Sequence, residues 1–133
     1  MRPTPHRGCI ALVAAAGLAV ILHPLMAAEA AAPAPAAFSR CAGCHSIQAG
    51  ENKIGPSLAG VFGRTSGSAA GYHYSAALAN AKLVWDDKTL DQYLKNPNGF
   101  VHGTKMFASI PDAQIRQQLI TYLKTLQPQA AGN

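Results

Sequence analysis

Helical periodicity with no convincing run of alternating strand residues, helix-capping residues ahead of the periodic stretches, and unusually glycine-rich connections predict an all-α fold of short helices. No internal repeat is visible. The chain of 133 residues has room for one small domain, and part of that length reads as an export segment.

Arg2, His6 and Arg7 form a basic start, residues 8–22 form an apolar run that stops at His23-Pro24, and Ala28-Glu29-Ala30 fits the small-x-small rule for cleavage after Ala30. The run is about 15 residues, short of the roughly 20 needed to span a bilayer, so a cleaved secretory signal over residues 1–30 is favoured over a membrane anchor. Cys9 would leave with it. Residues 31–37, all Ala and Pro, read as an extended linker, residues 38–127 as the domain, and residues 128–133 as a C-terminal tail.

Within the domain, the first helix is expected over residues 38–47, with Phe38, Cys41, Cys44 and His45 at three- and four-residue spacing ahead of Gly50. Residues 49–73 carry six glycines and a proline and cannot be one regular element. A loop this long calls for something to fill its inside. Residues 75–81 suit a short helix capped by Ser75, and residues 86–96 a second, opened by Asp86 or Asp87 and stopped before Pro97, with Leu90, Tyr93 and Leu94 on its buried face. The last helix is the clearest. Asp112 follows Pro111 as N-cap, and Ile115, Leu119, Tyr122, Leu123 and Leu126 recur at helical spacing before Pro128. Short helices joined by long glycine-rich loops would bury too little apolar surface alone, and a large apolar cofactor would supply the missing core.

Without residues 1–30 the chain keeps nine Lys/Arg against five Asp/Glu, a mild positive charge compatible with an acidic protein surface. The basic residues are scattered singly, which argues against nucleic acid. Two cysteines remain, Cys41 and Cys44, and as a structural disulfide they would close too short a loop to stabilise much. Zinc would need four ligands, and the sequence has no second Cys pair. A thioredoxin-like redox pair would want βαβ units around it, which the pattern does not offer. The spacing Cys41-x-x-Cys44-His45 matches c-type haem attachment, in which both thiols join the porphyrin and the adjacent histidine ligates iron. On one helical turn the three side chains point at one object. Candidates for the sixth ligand are His73, His102 and Met106. Met106, in a loop with Gly103, is preferred because His/Met ligation suits electron transfer, and the two histidines read as exposed loop residues.

The series "FSRCAGCH", "GPSLAGVFGR", "GYHYS", Trp85, "TLDQYLKNP", "GTKM" and "LITYLK", in this order, resembles class I c-type cytochromes of the mitochondrial cytochrome c and bacterial cytochrome c2 branch. The similarity runs from Phe38 to about Leu126. It implies the small cytochrome c fold wrapped around one covalent haem c, with thioethers at Cys41 and Cys44 and axial iron ligands at His45 and Met106. It further implies that the Pro56 carbonyl accepts the His45 Nδ1 hydrogen, that Arg64, Tyr74 and Trp85 approach the haem propionates, and that Tyr93 and Thr104 lie beside the methionine and the haem. Two features depart from the family pattern. Phe107 directly follows Met106, where relatives place an aromatic two residues on, and the ring of lysines is thinned to Lys53, Lys82, Lys95 and Lys105.

The function implied is that of a soluble one-electron carrier, not an enzyme, exported to the periplasm. It would be monomeric, without stable membrane insertion, docking on redox partner proteins such as a cytochrome bc1-type complex, an oxidase, a reductase or a dehydrogenase. Two alternatives carry different chemistry: a dedicated haem subunit of a periplasmic dehydrogenase, and a small haem peroxidase or gas sensor with Met106 off the iron.

Overall fold

The computed structural model describes residues 32–127. The expected export signal and the C-terminal tail lie outside the described residues. The chain enters through a 3-10 turn, Ala36–Phe38, that runs directly into helix α1, Ser39–Ala42. The 3-10 turn thus begins inside the segment expected as linker, and α1 ends well before the expected residue 47. The backbone shows why it stops. Cys44 N and His45 N both donate to Cys41 O, at 3.0 and 2.9 Å, but the Cys44 carbonyl accepts from Gly55 N at 2.7 Å instead of from the next helical turn. The helical turn thus lasts long enough to hold both cysteines and His45, and is then drawn off into the loop.

That loop is ordered by its own hydrogen bonds. Asn52 Oδ1 accepts from Ser57 N at 3.0 Å and its Nδ2 donates to Ala70 O at 3.0 Å, tying together segments 18 residues apart. Five of the six glycines in residues 49–73 take positive φ, which explains their number. Residues 63–66 then run antiparallel beside 83–85: Gly63 N donates to Trp85 O, Trp85 N to Arg64 O and Ser66 N to Leu83 O, at 2.7–3.0 Å. Only an isolated bridge, Thr65 to Val84, results, and the described residues contain no strand.

Helix α2, Ala76–Asn80, is capped by Ser75, whose Oγ accepts from Leu78 N, as expected. Helix α3, Asp87–Lys95, opens on a capping box: Asp86 accepts from Thr89 N at 2.8 Å while Thr89 Oγ1 accepts from Asp86 N at 2.9 Å. Its buried residues are Leu90, Tyr93 and Leu94, the expected face. A further turn, α4, Pro97–Phe100, has no counterpart in the sequence reading, which took Pro97 as a terminator. Proline serves there as the first helical residue, where its missing N–H costs nothing, and Asn96 caps the turn through Gly99 N.

Helix α5, Ala113–Thr125, starts on Asp112, whose Oδ1 accepts from Gln114 N and Ile115 N. It is the core's axis. Leu119 and Ile120 are each 1% exposed, a burial worth about 1.5–3 kcal/mol per side chain. The N-terminal turn packs on α5 through an edge-to-face pair, Phe38 on Tyr122, with centroids 4.8 Å apart. On its other side α5 meets α3. Around this core lies a margin of partly buried apolar side chains drawn from the short helices and the loops, among them Cys41, Leu58, Leu78, Phe100 and Met106. No helix among the described residues is long and apolar enough to cross a membrane.

Candidate functional site

His45 is fixed from two sides. Its Nδ1 lies 2.7 Å from the Pro56 carbonyl, and because a carbonyl can only accept, the hydrogen sits on Nδ1 and the Nε2 lone pair is left free. Gly55 presses on the ring: a Cβ there would overlap three atoms of the imidazole. The requirement at Gly55 is close approach, since its φ is not among the positive ones. A free Nε2 held in one orientation is what metal ligation by a histidine needs.

The two thiols precede it by four residues and by one. Cys41 is half-buried and packs against the core, Cys44 is exposed, and neither is in a disulfide. Burial pushes the Cys41 thiol above its ordinary range, against a smaller opposing pull from Arg40. No group of three or more His, Cys, Asp or Glu side chains gathers among the described residues.

A second group gathers where residues 63–66 meet 83–85. Arg64 donates from Nη1 to Ala59 O at 3.0 Å and from Nη2 to Ser57 O at 2.9 Å, while its buried Nε has no partner. Desolvation pulls the guanidinium below its usual range, partly countered by Tyr74. Trp85 is joined to Arg64 by the backbone hydrogen bond and is 6% exposed. Tyr74 accepts from Ala69 N at 3.3 Å, which leaves its own hydroxyl hydrogen to donate. Arg64 and Trp85 are thus joined through the backbone, and Tyr74 lies near enough to act on the Arg64 charge.

Trp85 leads on to a third group. Its ring lies 5.0 Å from that of Tyr93, whose hydroxyl is 2.5 Å from Thr104 Oγ1. Both residues are buried, and burial raises the Tyr93 phenol above its ordinary range, partly offset by the Thr104 bond. Thr104 Oγ1 in turn lies 3.5 Å from Met106 N, and Met106 is half-buried against the core. Gly103 makes the preceding turn with φ +89°, the freedom expected of it. His73 and His102 are exposed, also as expected. Phe107, by contrast, turns fully outward and is 83% exposed.

The family model for cytochrome c matches residues 31–127. The chain belongs to the cytochrome c family. Among its relatives, cytochrome c of Euglena viridis is 51% identical over 67% of this chain and 88% of that protein. Cytochrome c2 iso-2 of Magnetospirillum fulvum is 47% identical over 71% of this chain and all of that protein. Of solved structures, cytochrome cH of Methylobacterium extorquens superposes with a TM-score of 0.63 at 43% identity, covering 67% of this chain and 91% of that one. This cytochrome is accordingly an electron-transfer protein and not an enzyme, and it carries one covalent haem c at the Cys41-x-x-Cys44-His45 motif. The residues present fit that group. The orphaned Arg64 Nε is a buried donor in want of an anion, and Gly55 keeps open the space that the His45 ring fills.

Sequence reasoning missed two residues of consequence. Gly55 lay inside a quoted motif but had no role assigned. Arg116, 5% exposed, sits on the buried face of α5. The signal for it was a charge at a position in phase with Leu119, Ile120 and Leu123.

Proposed function

We propose that His45 Nε2 and Met106 Sδ are the two axial ligands of the haem iron, that Cys41 and Cys44 carry the thioethers, and that the protein shuttles single electrons in the periplasm. Its donor is a membrane complex of the bc1 type, and its acceptor is a terminal oxidase or reductase. The observation that carries this reading is the 2.7 Å bond from His45 Nδ1 to Pro56, because it orients the ring and leaves the opposite nitrogen available to a metal. The bound haem supplies a reversible ferric/ferrous couple.

The chain's own residues set the terms of that couple. With His45 and Met106 as its protein ligands the iron would keep no site for substrate, and the soft sulfur would favour the ferrous state. Arg64, Tyr74 and Trp85 would offer donors to the haem propionates, and a propionate would give the unpaired Arg64 Nε a counter-charge. Tyr93 and Thr104, bonded to each other in the core, exclude water from the methionine side. Periplasmic placement is supported by the bacterial cytochrome c2 relatives and by the export signal read in residues 1–30.

The test is spectroscopic. Ferric holoprotein at neutral pH should show the weak far-red charge-transfer band of a methionine on iron, and Met106→Ala should abolish it and let the ferrous protein bind carbon monoxide rapidly. If the wild-type protein lacks the band and binds carbon monoxide as fast as Met106→Ala, the carrier reading gives way to the sensor or peroxidase alternative.

A further inference from the structure

We propose that Arg116 is a positioning residue for the Met106 ligand: it clamps the far end of the ligand segment and so keeps the thioether on the iron. The inference rests on the reading that Met106 is an axial ligand. Arg116 is buried on α5, and its Nε donates to Asp91 Oδ1 on α3 at 2.7 Å. Its Nη1 donates to two successive carbonyls, Ile110 O at 3.0 Å and Pro111 O at 2.6 Å. Ile110 is itself 3% exposed, and its N–H donates to Leu94 O on α3 at 2.8 Å. The chain at Ile110 and Pro111 is therefore fastened to α3 by its own amide and to α5 by one guanidinium. The Asp91 contact fastens the two helices to each other at the same place.

The near end is equally fixed. Thr104 is 4% exposed, bonded through Oγ1 to Tyr93 and through its N–H to Val101 O at 3.1 Å. Between these anchors the segment has little of its own. Among the described residues, 105–109 make no backbone-to-backbone hydrogen bond, and Lys105, Phe107, Ala108 and Ser109 are exposed. The half-buried residue of the stretch is Met106. A strap without internal bonds takes its shape from its two ends, so a ligand in its middle is held by whatever holds those ends.

Arginine suits the task through its geometry. Its planar fork serves two carbonyls on one side and a carboxylate on the other in a single rigid arrangement, whereas a lysine ammonium is a point donor on a flexible stem. Asp91 supplies the counter-charge that a buried guanidinium needs.

Imidazole titration of the ferric holoprotein reads this directly, because imidazole takes the iron only while Met106 is off it, and its apparent affinity reports the open fraction. Arg116→Gln should bind imidazole about tenfold more tightly than wild type. Its far-red band should weaken and its reduction potential should fall, and Arg116→Lys should lie between the two. Phe38→Leu, which loosens the core at the Tyr122 contact away from the strap, serves as the control for lowered stability alone. Imidazole affinity in both Arg116 variants no greater than in Phe38→Leu would overturn the proposal. If Arg116→Gln does not fold, Arg116→Lys and Asp91→Asn decide by the same criterion. A wild-type protein without the far-red band would overturn the ligand reading and this proposal together; a normal band with unmoved imidazole affinity overturns the clamp alone.

Discussion

Arg64 spends both terminal nitrogens on the carbonyls of Ala59 and Ser57 and keeps a buried Nε without a partner. Such a group is costly in an otherwise satisfied interior, and the propionate of a haem is the anion that would remove the cost. A positive charge beside the haem stabilises the ferrous form over the ferric, so Arg64→Gln should lower the reduction potential of the holoprotein on the order of tens of millivolts in a potentiometric titration. An unchanged potential would separate Arg64 from the propionates. A different residue carries plain backbone strain. Lys82 has φ +51°, a left-handed conformation that disfavours any side chain with a Cβ. No functional group depends on it in the structure, and Lys82→Gly should therefore stabilise the fold, by about 0.5–1 kcal/mol. Urea unfolding would show this as a higher midpoint at unchanged slope.

At the scale of elements, what the sequence made legible was what is decided locally. Ser75 and Asp112 cap the helices expected of them, and of the two candidates Asp86 and Asp87 it is Asp86 that caps α3, because the orphaned N–H groups of a first turn accept help from the nearest short polar side chain. The Leu90, Tyr93 and Leu94 face of α3 follows from period alone. Distant partners decided the rest. The first helix ends at Ala42 because Gly55, eleven residues past Cys44 in sequence, takes the Cys44 carbonyl, and no local pattern announces that bond. The turn at Pro97 was hidden because proline opens helices as readily as it ends them. The meeting of Arg64 with Trp85 was not legible through pattern, since the backbone pairing that joins them spans loops. The α3 cap also predicts an acid sensitivity. Hydrogen bonds from Thr89 hold the Asp86 carboxyl below its usual range. A carboxyl depressed in the folded state stabilises above its unfolded pKa and loses that contribution as pH falls through the folded value, below about pH 4. Asp86→Ala should accordingly be less stable than wild type at pH 7, and the gap should narrow when thermal unfolding is repeated near pH 3.

For the molecule as a whole, the distribution of charge and apolar surface bears on how a partner is found and held. The chain from residue 31 on has a modest positive excess, nine Lys/Arg against five Asp/Glu, with its lysines dispersed. Lys53 and Lys105 are both exposed: Lys53 Nζ lies 3.4 Å from Ala42 O beside the cysteine motif, and Lys105 precedes Met106. Exposed pairs formed by such residues contribute at most about 1 kcal/mol each and are screened over about 8 Å at physiological salt. Phe107 offers more. At 83% exposure it contributes almost nothing to the fold, yet full burial of a phenylalanine against a partner is worth about 1.5–3 kcal/mol. The larger share of docking energy is therefore expected from one apolar contact next to Met106, with the lysines setting the encounter rate. In steady-state electron uptake from a purified bc1-type complex, Phe107→Ser should raise the apparent KM roughly tenfold while leaving the melting temperature and the slope of rate against ionic strength unchanged. Lys53→Gln and Lys105→Gln should do the reverse, flattening the salt dependence with little effect on KM at high salt. Should Phe107→Ser leave KM untouched and the two lysine variants raise it even at high salt, docking is electrostatic and Phe107 is a bystander on the strap.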